Sequence, residues 1–231
     1  MRILVVGGDK RQEYLCEHLV KSGAECVHLK VDDEKSVLDS IQDYSVVMLP
    51  VPMTMDGKTI YSVNSELKLS VKSMLDILSE GQAVIGGRIE EENIRVLKSK
   101  EVKYIDLLKD DAFVTFNAYL TAQGALRLLL ENTQSLIVNK KALVTGFGKV
   151  SKAMCSILHN NGVYVSVCAR NSKDLLVADC MGYNTMTFEQ LEKKISGYDY
   201  IFSTVPAYVI KERHIKSIKK ESFKLFYTTY K

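Results

Sequence analysis

The chain has 231 residues, 46% hydrophobic and 26% charged, with a formal charge of only +3. That balance suits a globular protein with room for two small domains and excludes a disordered or fibrous chain. The basic residues are scattered, which argues against a nucleic-acid partner, and no apolar run reaches the roughly 18 residues a membrane helix needs.

The first element is expected at once. Ile3 to Val6 is a continuous apolar run with only Arg2 before it, so it reads as a buried parallel strand rather than a secretory signal. Gly7-Gly8-Asp9 turns the chain into a helix whose stripe is Leu15, Cys16, Leu19 and Val20, with Gly23 as its stop. Further strands are predicted at Cys26 to Leu29, at Ser45 to Leu49 (stopped by Pro50-Val51-Pro52), at Ala83 to Ile85 before Gly86-Gly87, and at Val102 to Ile105. Helices are expected around 63–79 and 90–99. A leucine-rich helix over Thr121 to Asn132, with Leu126, Leu128, Leu129 and Leu130 apolar on more than one side, is expected to be buried between two domains.

The pattern then restarts. Lys141 to Thr145 is a strand, Gly146-Phe147-Gly148-Lys149-Val150-Ser151 a turn into a helix carrying Val150, Met154, Ile157 and Leu158, and Asn160-Asn161-Gly162 its end. Val163 to Cys168 and Tyr198 to Thr204 follow as strands. The fold class is therefore α/β: two doubly wound parallel-sheet domains, a flavodoxin- or Rossmann-like N-terminal one and a Rossmann one, joined by a long helix. The divisions are 1–116 for a substrate or partner domain, 117–139 for helix and linker, and 140–231 for the dinucleotide domain. A ligand is expected in the cleft between the sheets, at the carboxyl ends of the strands.

Gly146-x-Gly148-x-x-Ser151 departs by one residue from the dinucleotide fingerprint G-x-G-x-x-G. The first glycine permits the turn, the second lets the backbone approach a pyrophosphate, and serine is small enough for the third place. Lys149 is a candidate for reaching the pyrophosphate, or else a solvated side chain at the helix start. The next strand ends in Cys168-Ala169-Arg170-Asn171-Ser172, where an NAD enzyme usually carries an acidic residue for the ribose. A cation with neutral hydrogen-bonding neighbours suits the 2′-phosphate of NADP better. Thr204-Val205-Pro206 closes the strand expected to flank the nicotinamide ribose.

In the first half, Gly7-Gly8-Asp9-Lys10-Arg11 opens a helix whose free N–H groups, with the Arg11 guanidinium, are candidates to grip a carboxylate, and Gly86-Gly87-Arg88 repeats that logic. Two arginines at strand ends suggest a dicarboxylate; the alternative is two surface arginines near ordinary turns. Of the four histidines, His18 and His159 fall within expected helices and His28 and His214 show no paired acid, so all read as structural, and no catalytic acid or base is identified. The five cysteines form no C-x-x-C pair and read as reduced core thiols of a cytosolic protein without a metal site.

In their order along the chain, Gly7-Gly8-Asp9-x-Arg11-Gln12, Leu49-Pro50-Val51-Pro52, Gly86-Gly87-Arg88, Asn117-Ala118-x-x-Thr121-Ala122-x-Gly124-Ala125, Gly146-x-Gly148-Lys149, Ala169-Arg170-Asn171-Ser172 and Thr204-Val205-Pro206 resemble the A subunit of dipicolinate synthase. The resemblance implies an NADP-dependent oxidoreductase of sporulating bacteria that works in the mother-cell cytoplasm with a flavoprotein-like B subunit. It would remove hydride from a dihydrodipicolinate-level ring, with aromaticity as the driving force. It also implies substrate contacts at Gly8, Asp9, Arg11, Pro52, Arg88, Asn117 and Thr121. Self-association is left open. The family usually carries Glu at Gln123 and often Pro at Leu120, and a strand resembling Phe223 to Tyr227 would continue into an Asp- and Gly-Gly-bearing loop, so the dinucleotide domain reads as C-terminally truncated. Two other functions stay in play: a non-catalytic NADP-binding subunit or remnant of that enzyme, and a relative of 2-hydroxyacid or alanine dehydrogenases.

Overall fold

The computed structural model describes residues 1–29, 34–63, 69–205 and 209–226. The chain divides into two compact units, Met1–Phe113 and Val114–Lys231.

The first unit is built on β1 (Arg2–Val6), β2 (Glu25–Leu29), β3 (Val46–Met48), β4 (Ala83–Gly86) and β5 (Lys103–Asp106). They form one parallel sheet in the order β2-β1-β3-β4-β5. Its helices are α1 (Lys10–Lys21), α2 (Glu34–Ile41), α3 (Val71–Ile77) and α4 (Glu91–Ser99). The core takes Leu4 and Val6 from β1, Val47 and Val84 from its neighbours, and Met74, Leu75, Ile94 and Leu97 from α3 and α4. Each such side chain, fully removed from water, contributes roughly 1.5–3 kcal/mol before the entropy of ordering it is set against that. The order reverses between β1 and β3, the kind of switch point at which open sheets commonly place a ligand site.

The second unit begins within α5 (Asp111–Glu131) and continues through β6 (Lys141–Thr145), α6 (Lys149–Asn160), β7 (Tyr164–Cys168), α7 (Ser172–Cys180), β8 (Asn184–Met186), α8 (Phe188–Lys194), β9 (Tyr200–Ser203), α9 (Glu212–Ser217) and β10 (Phe223–Phe226). Its parallel sheet runs β10-β9-β6-β7-β8, with the reversal between β6 and β9. Ala142 and Val144 turn one way, toward Met154, Cys155 and Leu158 of α6, while Leu143 turns the other way, toward Leu191, Ile195 and Ile201. Both units are thus the doubly wound parallel α/β folds that the alternating runs predict.

Several expectations are corrected. The long helix starts at Asp111, ten positions before Thr121, and its buried stripe is Ala118, Ala122, Ala125 and Leu129, so that of the four leucines Leu129 is buried and Leu126 packs against the core. Small residues at that spacing let the helix lie close to the second unit's core, while Leu128 and Leu130 are exposed. The helix predicted around 63–79 is shorter, Val71–Ile77, because the Ser70 side chain caps it by accepting from the Ser73 N–H; residues 64–68 lie outside the described set. Val20 is exposed rather than part of the apolar stripe of α1. Among the thiols, Cys155 and Cys168 are buried, Cys16 and Cys26 half-buried, and Cys180 exposed, so Cys180 is not a core residue. No helix among the described residues is long and apolar enough to cross a membrane, and no cluster of metal-ligating side chains occurs among them.

Candidate functional site

In the second unit, Gly146 follows β6 with φ +85°, and its N–H donates to the Cys168 carbonyl at 2.8 Å. A Cβ there would lie 2.6 Å from Val205 Cγ1, so backbone conformation and packing both demand glycine. Phe147 turns its side chain away from the loop. Its ring is buried in the core, edge-on to Tyr183 with centroids 6.4 Å apart, so only its backbone remains at the loop.

Gly148 is different. It is the N-cap of α6, its conformation is open to any residue, and a Cβ built on it would meet nothing within 4 Å. The protein's own packing gives no reason for glycine there. A ligand drawn against the loop gives one, since no side chain caps α6 and its N-terminus offers the positive end of the helix dipole. These residues fit a dinucleotide pyrophosphate. Lys149 is exposed and Val150 half-buried at the start of the helix.

Ser151, in the third glycine place, is 1% exposed, and its hydroxyl lies 2.5 Å from that of Thr204 just beyond β9. Thr204 donates onward to the Thr145 carbonyl at 2.8 Å, and Thr145 donates to Ser203 at 3.0 Å. A hydroxyl chain thus laces β6, α6 and β9 at the reversal of strand order, a role that the small size of serine does not announce. Beside it, β7 leads into buried Ala169 and exposed Arg170. Asn171 is the N-cap of α7, accepting from the Lys173 N–H at 2.9 Å, and Ser172 is the exposed first residue of that helix. Thr204 and Val205 sit where the sequence predicts, after β9; Pro206 lies outside the described residues.

The corresponding turn of the first unit is closed. Several of the N–H groups expected to be free there are taken: Gly7 donates to Leu29, Gly8 to Tyr61 at 2.7 Å, and Gln12 to the Asp9 carbonyl. The Gly8 carbonyl accepts from Val63, so the chain's own segment around 61–63 is bonded along this turn. Asp9 and Gln12 form a capping box on α1, in which the Asp9 carboxylate accepts the Arg11 N–H and the Gln12 amide oxygen accepts the Asp9 N–H. The Arg11 guanidinium closes on the same Asp9 carboxylate at 2.9 Å, and this hydrogen bond holds the Asp9 carboxyl below the usual carboxylate range against the opposing effect of partial burial. A carboxylate of the protein itself occupies the place predicted for a bound anion.

Arg88 is exposed beyond β4, and no ion pair engages it among the described residues. Its backbone is fixed by Asp106, which no sequence motif singles out; the available signal is an acidic residue ending an apolar strand. Pro52 is half-buried in the loop after β3. Asn117 and Thr121 lie one turn apart on α5, where the Thr121 hydroxyl donates to the Asn117 carbonyl at 2.8 Å. His28 Nε2 lies 2.8 Å from the Gly7 carbonyl, His159 packs edge-on to Tyr183, and buried His214 caps α9 through Nδ1, its pKa lowered by burial. Two surface clefts, of about 480 and 450 Å³, lie elsewhere, around Cys16 and His28 and around Lys141 and Ser166.

Residues 2–108 match the family of N-terminal domains of the dipicolinate synthase A subunit, and residues 128–227 match the shikimate / quinate 5-dehydrogenase family. The A subunit of dipicolinate synthase from Bacillus subtilis (strain 168) is 23% identical, over 94% of this chain and 77% of that protein. The crystal structure of that Bacillus subtilis subunit superposes with a TM-score of 0.70 at 20% identity, over 97% of this chain and 79% of that one. The A subunit from Bacillus halodurans gives 0.74 at 17%, over 97% and 81%. The apo-structure of D-lactate dehydrogenase from Escherichia coli shares the fold more distantly, with a TM-score of 0.59 at 17% identity over 98% of this chain and 73% of that one. In sequence and fold, this chain matches the dipicolinate synthase A subunit over most of its length.

Proposed function

We propose that this chain is an NADP(H)-dependent oxidoreductase of the dipicolinate synthase kind, corresponding to that enzyme's A subunit. It oxidises a dihydrodipicolinate-level precursor to dipicolinate in a sporulating cell, alongside a flavoprotein-like B subunit. One observation carries the reading. Of the two strand–glycine–helix turns, the one at Gly146 to Ser151 has an uncapped helix and open space at Gly148, while the one at Gly7 to Gln12 is filled by the chain itself.

Bound nicotinamide would supply the hydride acceptor. The chain's own residues bind and orient. Gly146 makes the turn, Gly148 leaves the pyrophosphate its space, and the first turn of α6 supplies N–H donors and a favourable dipole. Arg170, with Ser172 beside it, provides charge-assisted bonds for a 2′-phosphate. In the first unit, Arg88 neutralises a substrate carboxylate, as a dicarboxylic ring requires; Arg11, already held by Asp9, is the weaker candidate.

Titration of the purified chain with NADPH and NADH, followed by NADP-dependent dipicolinate formation with the B subunit present, tests this. Tighter binding of NADPH and measurable turnover are the expected results. Failure to bind either cofactor would remove the reading.

A further inference from the structure

β4 and β5 end side by side, with Gly86 paired to Asp106. Beyond that pair, Gly87 turns against Val51, so closely that a Cβ on it would come within 2.6 Å of Val51 Cγ1, and Arg88 follows with φ +59°. The left-handed region suits glycine and is costly for a long side chain. Apart from glycines, two other described residues have a positive φ: Glu101 just after α4, where a helix exit commonly needs it, and Asn139, a type that tolerates it. Arg88 follows a strand and has neither excuse.

What holds it there is Asp106. This carboxylate is 8% exposed and accepts the N–H of Arg88 at 3.0 Å, of Ile89 at 3.1 Å and of Leu108 at 3.0 Å. No salt bridge to it occurs among the described residues, so backbone donors from two turns compensate its burial. The two arginines singled out in the sequence thus differ. Asp9 binds the guanidinium of Arg11, whereas Asp106 binds the backbone of Arg88 and leaves that guanidinium without a carboxylate partner among the described residues.

We infer that Asp106 is a positioning residue for Arg88: it fixes a strained backbone so that the guanidinium is presented at the end of β4 to a carboxylate of the substrate. This rests on the proposed dicarboxylate chemistry of the first unit. Glycine would satisfy the backbone at 88 without strain, so arginine there is explained by what its side chain binds.

A double-mutant cycle tests it, read by calorimetric titration with pyridine-2,6-dicarboxylate, with NADPH affinity as a control for folding of the second unit. Arg88→Gly should weaken dicarboxylate binding about tenfold or more, the loss of a charge-assisted bond, while leaving the melting temperature unchanged or higher. Asp106→Asn should weaken it severalfold in the parent and not at all in the Arg88→Gly background. Asp106→Glu, which keeps the charge and displaces it, should behave alike and serves if the asparagine variant does not fold. Equal losses in both backgrounds would overturn the inference and leave the dicarboxylate reading standing. A parent chain that binds NADPH but no dicarboxylate would overturn both.

Discussion

The hydroxyl of Ser151 lies 2.5 Å from that of Thr204, joining the first turn of α6 to the end of β9 at the place where the fingerprint has its third glycine. Serine there is therefore a bonding partner as well as a small residue. Ser151→Ala should destabilise the chain by about 0.5–1.5 kcal/mol, because Thr204 keeps its bond to the Thr145 carbonyl while the α6 end of the link is lost. Ser151→Gly should cost somewhat more, through added backbone freedom in a helix. Urea unfolding curves check both, and wild-type stability in either would show that the contact contributes nothing.

Gly146 and Gly148 should part company when substituted. Gly146→Ala meets both a positive φ and Val205 Cγ1, so it should unfold more easily. Gly148→Val meets open space, so it should fold normally and lose NADPH binding, its side chain standing where a pyrophosphate would lie. The pair separates turn from site: unaltered NADPH affinity in a folded Gly148→Val chain would reduce the loop to a turn.

The long β-branched runs make both sheets legible, because strands buried on both faces carry continuous apolar sequence. β8 escapes, since Asn184-Thr-Met186 is a three-residue edge strand with no such run. For α5, the conspicuous leucines point to a later start and mark the buried face only at Leu126 and Leu129, whereas packing also selects Ala118, Ala122 and Ala125, whose small size decides how close the helix can lie. The two glycine turns look alike as sequence. Their difference lies in Asp9 and Gln12, three positions apart, a capping-box spacing that predicts a helix start satisfied by its own side chains. Asp106 leaves in the sequence only the sign of an acidic residue ending an apolar strand, because its value depends on β4 and β5 ending together.

Arg170 stands exposed after β7 where an acidic residue would favour NAD. Arg170→Ala should weaken NADPH by about 1.5–3 kcal/mol and leave NADH nearly unchanged, since only NADPH carries the 2′-phosphate. Fluorescence titration with both cofactors decides it, and equal losses would mean that the side chain acts on something common to the two.

Asp9 gives the first unit an acid-sensitive element. The hydrogen bond from Arg11 lowers its carboxyl pKa in the folded chain, partial burial opposing the shift. A carboxyl with a lowered folded pKa binds protons more weakly folded than unfolded. Its contribution to stability is therefore complete above the unfolded aspartate value of about 3.9 and is lost as the pH falls through the lower, folded value. The Asp9 and Arg11 side chains are 25% and 57% exposed, so solvent screens the pair, and its worth is at the modest end, below about 1 kcal/mol. Asp9→Asn keeps a good helix cap and removes the charge. It should cost little at neutral pH and flatten the decline between about pH 5 and pH 2. Asp9→Ala removes cap and charge together and should cost about 1 kcal/mol more at pH 7. Denaturant unfolding of the three chains at stepped pH separates the two contributions, and parallel acid limbs for parent and Asp9→Asn would show that the ion pair leaves no mark on stability.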